Sequence, residues 1–351
     1  MKHLVYALVI SLLISCESAT SDEYKRPAGG APDEIVVVVD SAVWAGSVGI
    51  ELRKILQAPM QGMPQDEALF EVYQVNPLKL NSVLKSAYNM IFITTLDRRT
   101  PQSKEMQSMF TDESLKRIQR DTSFFQVVEN DKFAKNQKTL FLFGNNSEEL
   151  SSHIAQSRAE ILHLFETRAR VLTKSRIMRQ RETGIESTLK KNHGYSIQIP
   201  YGWDLSKNLP DFQWIRQLEI DKEKNIFIYK RPYYGPQDFQ DIEGLRDRIS
   251  ELHLRDSQRP ELFIKRQEII PVVTKRINFN KKFAVEARGL WAVSDMTAGG
   301  PFLSYAFVDE GSDTLYYIEG YVYHAGGKKK RLMREMDAIL STFTLPSETT
   351  K

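Results

Sequence analysis

The stretch EIVVVVDSAVWAGSVGIELRKIL, Glu34 to Leu56, decides how the first half of the chain is read. Five apolar residues, Ile35 to Val39, run unbroken into Asp40. β-Branched residues favour extended backbone, and a continuous apolar run suits a strand covered on both faces, as in a parallel or mixed sheet. After Gly46-Ser47 the period changes, and Val48, Leu52, Ile55 and Leu56 recur at helical spacing. Asp40 thus stands at the carboxyl end of a strand, where α/β sheets host ligands. It is the first candidate site residue, with Trp44 beside it. The segment lacks the D-x-S-x-S hydroxyls that would complete a Mg²⁺ site, the lysine of a P-loop and the glycines of a dinucleotide fingerprint. The plainer reading makes Asp40 a strand end hydrogen-bonded into the turn that follows.

Further strands are expected at Leu69–Val75, Met90–Leu96, 124–130 and 139–144, with a short helix opening at Pro77, where proline's missing N–H is harmless. A long helix follows, capped by Asn146 with Glu149 three residues on. Its apolar stripe runs through Leu150, Ile154, Ile161, Phe165, Val171 and Leu172. This alternation predicts an α/β half with a mixed sheet over residues 34–190. Six cations between Arg168 and Arg181 read either as a solvated face or as a contact with a membrane or anionic polymer.

Near Gly194 the pattern changes. YSIQIPYGWDL alternates at period two, and strand-like runs dominate to His324, interrupted by one helix over Asp238–Leu254. Leu332, Met336, Ile339, Leu340 and Phe343 form a closing amphipathic helix. Residues 191–346 therefore read as an antiparallel α+β half, with 347–351 a disordered tail. The IPYGW opening and ILSTF ending resemble PsbP/Mog1-like domains at the level of fold, which implies no activity.

The chain has 351 residues, 41% hydrophobic and 26% charged, enough for two domains. Its net charge of +3 is too small to point to nucleic acid. MKHLVYALVISLLISC opens with Lys2 and an apolar run too short to span a bilayer, the pattern of a secretory signal over residues 1–15. Leu13-Ile14-Ser15-Cys16 resembles a bacterial lipobox, which implies that Cys16, the sole cysteine, is lipidated. Residues 16–33 then read as a lipidated flexible tether, and Ser21-Asp22-Glu23 resembles an export tag for the outer surface. Localisation at the outer membrane rather than the inner is expected.

VVVVDSAVWAGSVG, LQAPMQGMPQDEALFEVYQV and RGLWAVSDMTAGGPFLSYAF together resemble a lipoprotein family of Bacteroidota catalogued as domain of unknown function 4837, over nearly the whole mature chain. The Trp291 segment with Gly299-Gly300-Pro301-Phe302 carries the most specific part. The resemblance implies an anchored envelope protein and supplies no reaction, cofactor or catalytic residue.

Chemistry-bearing motifs are few. His153 and His163, ten apart on one helix, stand about 15 Å apart and cannot share an ion. No H-E-x-x-H or G-x-S-x-G occurs, so neither metal nor cofactor is expected. Tyr229, Arg231 and Trp291 are candidate ligand contacts, because rings and guanidinium groups stack on sugars or extended peptides; alternation equally places such rings in a core. Lys328 and Lys329, in a run of four cations at a helix start, are the last candidates. The helix dipole disfavours them, and a bound anion would reverse the penalty; the plainer reading is a solvated turn with the lysines splayed into water. The expectation is a non-enzymatic scaffold or binding protein for an envelope protein or glycan. The alternatives are an envelope hydrolase of glycans or peptides using Asp40 or Glu286 near Trp291, and a carrier with an apolar cavity between its halves.

Overall fold

The computed structural model describes residues 25–256 and 258–345. The signal segment, the lipobox, Cys16 and the tail 347–351 lie outside the described residues. In chain order the elements are β1 (Glu34–Val39), α1 (Ser41–Ala45), α2 (Ser47–Leu56), β2 (Glu71–Val75), β3 (Asn89–Thr95), α3 (Pro101–Gln107), α4 (Asp112–Arg120), β4 (Gln126–Asn130), β5 (Lys138–Gly144), α5 (Ser147–Gln156), α6 (Arg158–Ile177) and α7 (Thr183–His193). There follow β6 (Asp204–Asn208), β7 (Phe212–Leu218), β8 (Lys222–Pro232), α8 (Ile242–His253), β9 (Ile264–Arg266), β10 (Val273–Phe279), β11 (Lys282–Val293), β12 (Gly299–Asp309), β13 (Thr314–His324) and α9 (Lys330–Leu340).

By packing, the described chain divides into two compact units. One comprises residues 25–31, 35–41 and 74–146; the other comprises 32–34, 42–73 and the described residues from 147 onward. The division is discontinuous in sequence, unlike the expected boundary at 190, because the chain leaves the first unit after Ser41 and returns at Gln74.

A mixed sheet has the order β2-β1-β3-β5-β4, and the first unit is built on its β3, β5 and β4 and most of β1. β1, β3 and β5 run parallel, and β4 is antiparallel to β5. The β1 and β3 runs are apolar on both faces because both are covered: Ile35 to Val39 and Met90 to Ile93 are all buried. Each such side chain contributes about 1.5–3 kcal/mol of burial. Of the stretch read as tether, residues 26–29 are part of this unit. Ala28 donates to the Lys135 carbonyl at 2.8 Å, Gly29 donates to Ser86 at 2.8 Å, and Ala28 is buried.

The second unit holds an eight-stranded antiparallel sheet, order β10-β11-β12-β13-β8-β7-β6, with β9 pairing with β11. Alternation sorts its side chains onto two faces. One face carries Ala284, Leu303, Tyr305, Ile318 and Val322 and receives Met333, Met336, Ile339 and Leu340 of α9. The other carries Val285, Trp291, Phe302, Tyr317 and Tyr321 and receives Ile242, Leu245 and Ile249 of α8. The fold class is therefore as expected, α/β followed by antiparallel α+β.

Local readings differ in several places, α3 and α4 among them, which were not expected from the sequence. The long helix is broken at Ser157 into α5 and α6. α7 occupies a segment the alternation did not reveal. Tyr195, Ile197 and Ile199 are buried as their period-two spacing requires, yet their segment forms isolated bridges, Ser196 with Thr344 and Pro200 with Arg181, and belongs to no named strand.

Candidate functional site

In the second unit a cleft of about 350 Å³ opens between α6, α9, β11 and the loop at residues 58–61. Each wall follows from a local pattern. α6 projects Arg158, Leu162, Glu166 and Arg170 at four-residue intervals, which stacks them along one side of the helix. α9 buries its methionine stripe in the sheet, leaving Arg334 and Asp337 to face the cleft. Glu286 and Arg288, two apart on β11, share the face opposite to Trp291, five further along from Glu286. Gly62 has φ +74°, and a Cβ there would stand 2.9 Å from the Arg288 Cβ; glycine lets this loop lie against the strand.

Most of the charge in the cleft is paired. Asp337 accepts from Arg170 Nε at 2.8 Å and from the Tyr305 hydroxyl at 2.6 Å. Arg288 Nε donates to Glu286 at 2.7 Å. Arg334 holds Glu166 through two nitrogens, at 2.9 and 3.0 Å, and donates to the Leu69 carbonyl at 2.8 Å. Burial by itself would raise the Asp337 carboxyl, but Arg170 and Arg288 outweigh it and hold the group below the ordinary carboxylate range. Burial and then the Asp337 charge push the Tyr305 hydroxyl well up. The cleft thus offers an ionised carboxylate and a neutral phenol. Among the described residues no carboxylate forms an ion pair with the two remaining cations of the lining, Arg158 and Lys275.

The residues singled out by sequence lie elsewhere. Asp40 belongs to the first unit, is 3% exposed, and accepts from Thr100 Oγ1 and from Ser103 Oγ at 3.1 Å. Thr100 is itself the N-cap of α3, so Asp40 braces a helix start. Trp44 lies under the Arg53 guanidinium, 4.6 Å from the ring centre. Arg231 is committed to Asp238 through bonds of 2.8 and 3.0 Å. Burial raises the Tyr229 hydroxyl, and Trp291 is buried with its Nε1 donating to the Val322 carbonyl at 3.2 Å. Tyr229 and Trp291 share the α8-side core, so the buried reading of these rings is the one the geometry favours. Glu286 and Trp291 occupy opposite faces of β11, which separates the carboxylate from the ring in the hydrolase reading.

The cation run at the start of α9 has its anion within the chain. Glu67 accepts the backbone N–H groups of Lys329 and Lys330 at 2.8 and 3.1 Å. Lys330 Nζ and Arg331 Nε meet Asp33 at 2.8 and 3.0 Å, and Arg331 approaches Glu34 and Glu71. Lys329 is buried with its ammonium on the Gly327 carbonyl, and Lys328 is exposed. Internal carboxylates thus stand at the start of α9, which is neither the solvated turn nor the external anion that the sequence offered. The basic run on α6 behaves similarly: Arg170 meets Asp337, and Arg176 meets Glu335 at 3.3 Å.

Among the described residues no group of three or more His, Cys, Asp or Glu side chains is placed to hold a metal ion, and no helix is long and apolar enough to cross a membrane. In sequence comparison the segment that holds the cleft's sheet and α9 is similar to a catalogued domain. Residues 182–342 match domain of unknown function DUF4837. Residues 28–178 match a second, DUF8532, also described only as a domain of unknown function. Of the three stretches that carry the family resemblance, only the Trp291 stretch falls in the DUF4837 segment; the Val36–Gly49 and Leu56–Val75 stretches fall in the other match. No curated protein matches the chain. Among solved structures, a mutant of the protein Mog1 is 9% identical, covering 43% of this chain and 90% of its own, at a TM-score of 0.30. The Ran-binding protein Mog1p of Saccharomyces cerevisiae is 9% identical, covering 44% and 92%, at 0.31. The fold assignment of the DUF4837 segment rests on the strand pairings described above.

Proposed function

We propose that this chain is a cell-envelope lipoprotein of the Bacteroidota kind, anchored through acyl chains on Cys16 at the outer membrane, and that it is a non-enzymatic binding protein. Its cleft takes a carboxylate-bearing group of an envelope protein or glycan. The observation that supports this reading is the division of charge in the cleft. Glu166, Glu286 and Asp337 are each engaged by an arginine, while Arg158 and Lys275 have no carboxylate partner among the described residues. A general acid needs a carboxyl whose proton is retained near neutral pH; the arginines hold Asp337 in the opposite direction. An acid entering the cleft meets two cations without a carboxylate partner, one of them Arg158, which donates to the Lys54 carbonyl at 3.5 Å, on walls already ordered by ion pairs, and such preorganisation favours binding.

Crosslinking and pull-down from intact membranes tests both parts. The parent chain is expected in the membrane fraction with a captured partner. Cys16→Ser is expected in the soluble fraction, and Arg158→Glu with Lys275→Glu is expected to stay at the membrane without that partner. Equal membrane retention of the parent and Cys16→Ser would overturn the anchor; equal capture by the cleft variant would overturn the site.

A further inference from the structure

β10 is the outermost strand of the eight-stranded sheet. β11 pairs with one side of it, and among the described residues no strand pairs with the other. Nor does any β10 backbone group bond to a described residue outside that ladder. Thr274, Lys275 and Arg276 are exposed, and no Asp or Glu occurs from Ile269 to Val285. Neither Lys275 nor Arg276 forms an ion pair with a described residue. Alternation turns Lys275 to the α9 side, with Ile277 and Phe279 of the core, and there it lines the cleft. Thr274 and Arg276 turn to the α8 side, where they border a second hollow of about 740 Å³ with Tyr233, Phe239 and Phe283. Phe283 is 53% exposed, and Phe239 meets it edge-on at 5.2 Å between ring centres. No carboxylate lines this hollow, and Glu166, Glu286 and Asp337 of the cleft are held by arginines. The open edge thus runs between a basic cleft and an aromatic hollow.

We infer that the open side of β10 receives an extended segment of the partner protein as an added strand, with its side chains alternately an acid toward the cleft and an apolar residue in the aromatic hollow. The inference rests on the reading of the cleft as a carboxylate site, and it names the form in which that carboxylate arrives. An added strand lies about 4.8 Å outside β10, and its side chains alternate with the same period. Main-chain hydrogen bonds supply affinity and the two hollows supply specificity. An acid beside Lys275 is a favourable cross-strand pair, whereas a cation there is not. The same rule disfavours a second copy of this chain: two β10 strands paired about their common centre would set Arg276 opposite Arg276. Edge cations of this kind guard a sheet against its own copies and leave an acidic strand as the one that fits.

The test uses the full chain as Cys16→Ser, so that no acyl group contributes. The probe is a short fluorescein-labelled peptide alternating Glu and Val, read by anisotropy. It is expected to bind. The same sequence with every amide N-methylated keeps the charges but loses the donors, and should bind about tenfold more weakly or not at all. Lys275→Glu and Arg276→Glu should each lower the affinity about fivefold while melting with the parent. Phe283→Ala should lower it separately, and Lys328→Glu, at an exposed cation elsewhere, should leave it unchanged. Acids at the chain's own ends, Glu17, Asp22, Glu23 and Glu348, lie outside the described residues. Glu17→Gln/Asp22→Asn/Glu23→Gln/Glu348→Gln should leave the affinity unchanged; a gain would make one of those ends the occupant and overturn the inference. Equal binding of the methylated peptide would overturn the added strand while the carboxylate site stands. Equal binding of a peptide alternating Gln and Val would overturn the carboxylate site itself. Absence of binding by the Glu–Val peptide, or a dimer in sedimentation that Arg276→Glu abolishes, would also overturn the inference.

Discussion

Glu67 lies 262 residues before Lys329, and its carboxylate accepts the Lys329 backbone N–H at 2.8 Å. With the second bond, from Lys330, it occupies the position at the start of α9 where unpaired N–H groups and the helix dipole attract negative charge. The loop that carries Glu67 also supplies Met60 and Met63 to the α9-side core. One loop therefore borders the cleft, caps the helix beside it and contributes to the core beneath both.

Glu67→Ala should destabilise the chain by about 2–4 kcal/mol, because two buried N–H groups lose their acceptor. Glu67→Gln, retaining one acceptor oxygen, should cost less. Urea unfolding of the three chains measures the order; an alanine variant as stable as its parent would show that water or a neighbouring carboxylate replaces the cap.

The pair Arg246–Glu319 fastens α8 to the opposite face of the same sheet. Two bonds of 2.8 and 3.0 Å join side chains that are 1% and 0% exposed, Tyr317 adds a third bond to the carboxylate, and the guanidinium lies 4.2 Å from the Phe302 ring centre. Burial raises the Glu319 carboxyl, against the pull of Arg246. Removing one partner leaves the other buried and unpaired, so Glu319→Leu or Arg246→Met alone should cost about 3–5 kcal/mol. The double variant Arg246→Met/Glu319→Leu should recover most of that loss. Thermal melts of all four chains close the cycle, and additive losses would show that the pair is not coupled.

These contacts also mark what a sequence can disclose. The β1 run and the α9 stripe are local patterns, and both elements form where the periods place them. α3, α4 and α7 are short and largely polar, and α7 has a single buried apolar residue, Leu189, so no stripe announces it. The cleft was hidden for a different reason. Arg170 and Asp337 are 167 residues apart and Arg334 and Glu166 168 apart, and only the packing of α6 on α9 makes each pair. The four-residue spacing of Arg158, Leu162, Glu166 and Arg170 was the one available signal. The cations at Lys328–Arg331 were visible, but their partners, Asp33 and Glu67, required the fold.

Asp337 links the cleft to pH. Its folded carboxyl is held below the unfolded value of about 3.9. Its stabilising contribution is therefore fully present above that unfolded value and is lost as pH falls through the lower folded value. Asp337→Asn should be less stable than the parent at neutral pH, and the difference should shrink as pH falls below about 4. Urea midpoints measured across that range decide the matter; a gap that does not change with pH would show that the amide loses packing rather than charge.

Gly300 explains the most specific part of the family resemblance. It faces Trp291 in the β11–β12 register, and a Cβ at this position would lie 2.0 Å from the Val322 carbonyl oxygen and 3.3 Å from Trp291 Nε1. The same carbonyl accepts the indole N–H. The ring, the bare backbone and the neighbouring strand thus fit only if residue 300 has no side chain. Gly300→Ala must push the Val322 carbonyl or the indole away, breaking that bond and separating β12 from its neighbours, at a cost of about 3 kcal/mol or more. Trp291→Phe keeps most of the ring, leaves the carbonyl without this donor, and should cost about 1–2 kcal/mol. If Gly300→Ala unfolds at the same urea concentration as the parent, the close approach is not a constraint, and the pairing of Trp291 with Gly300 has some other cause.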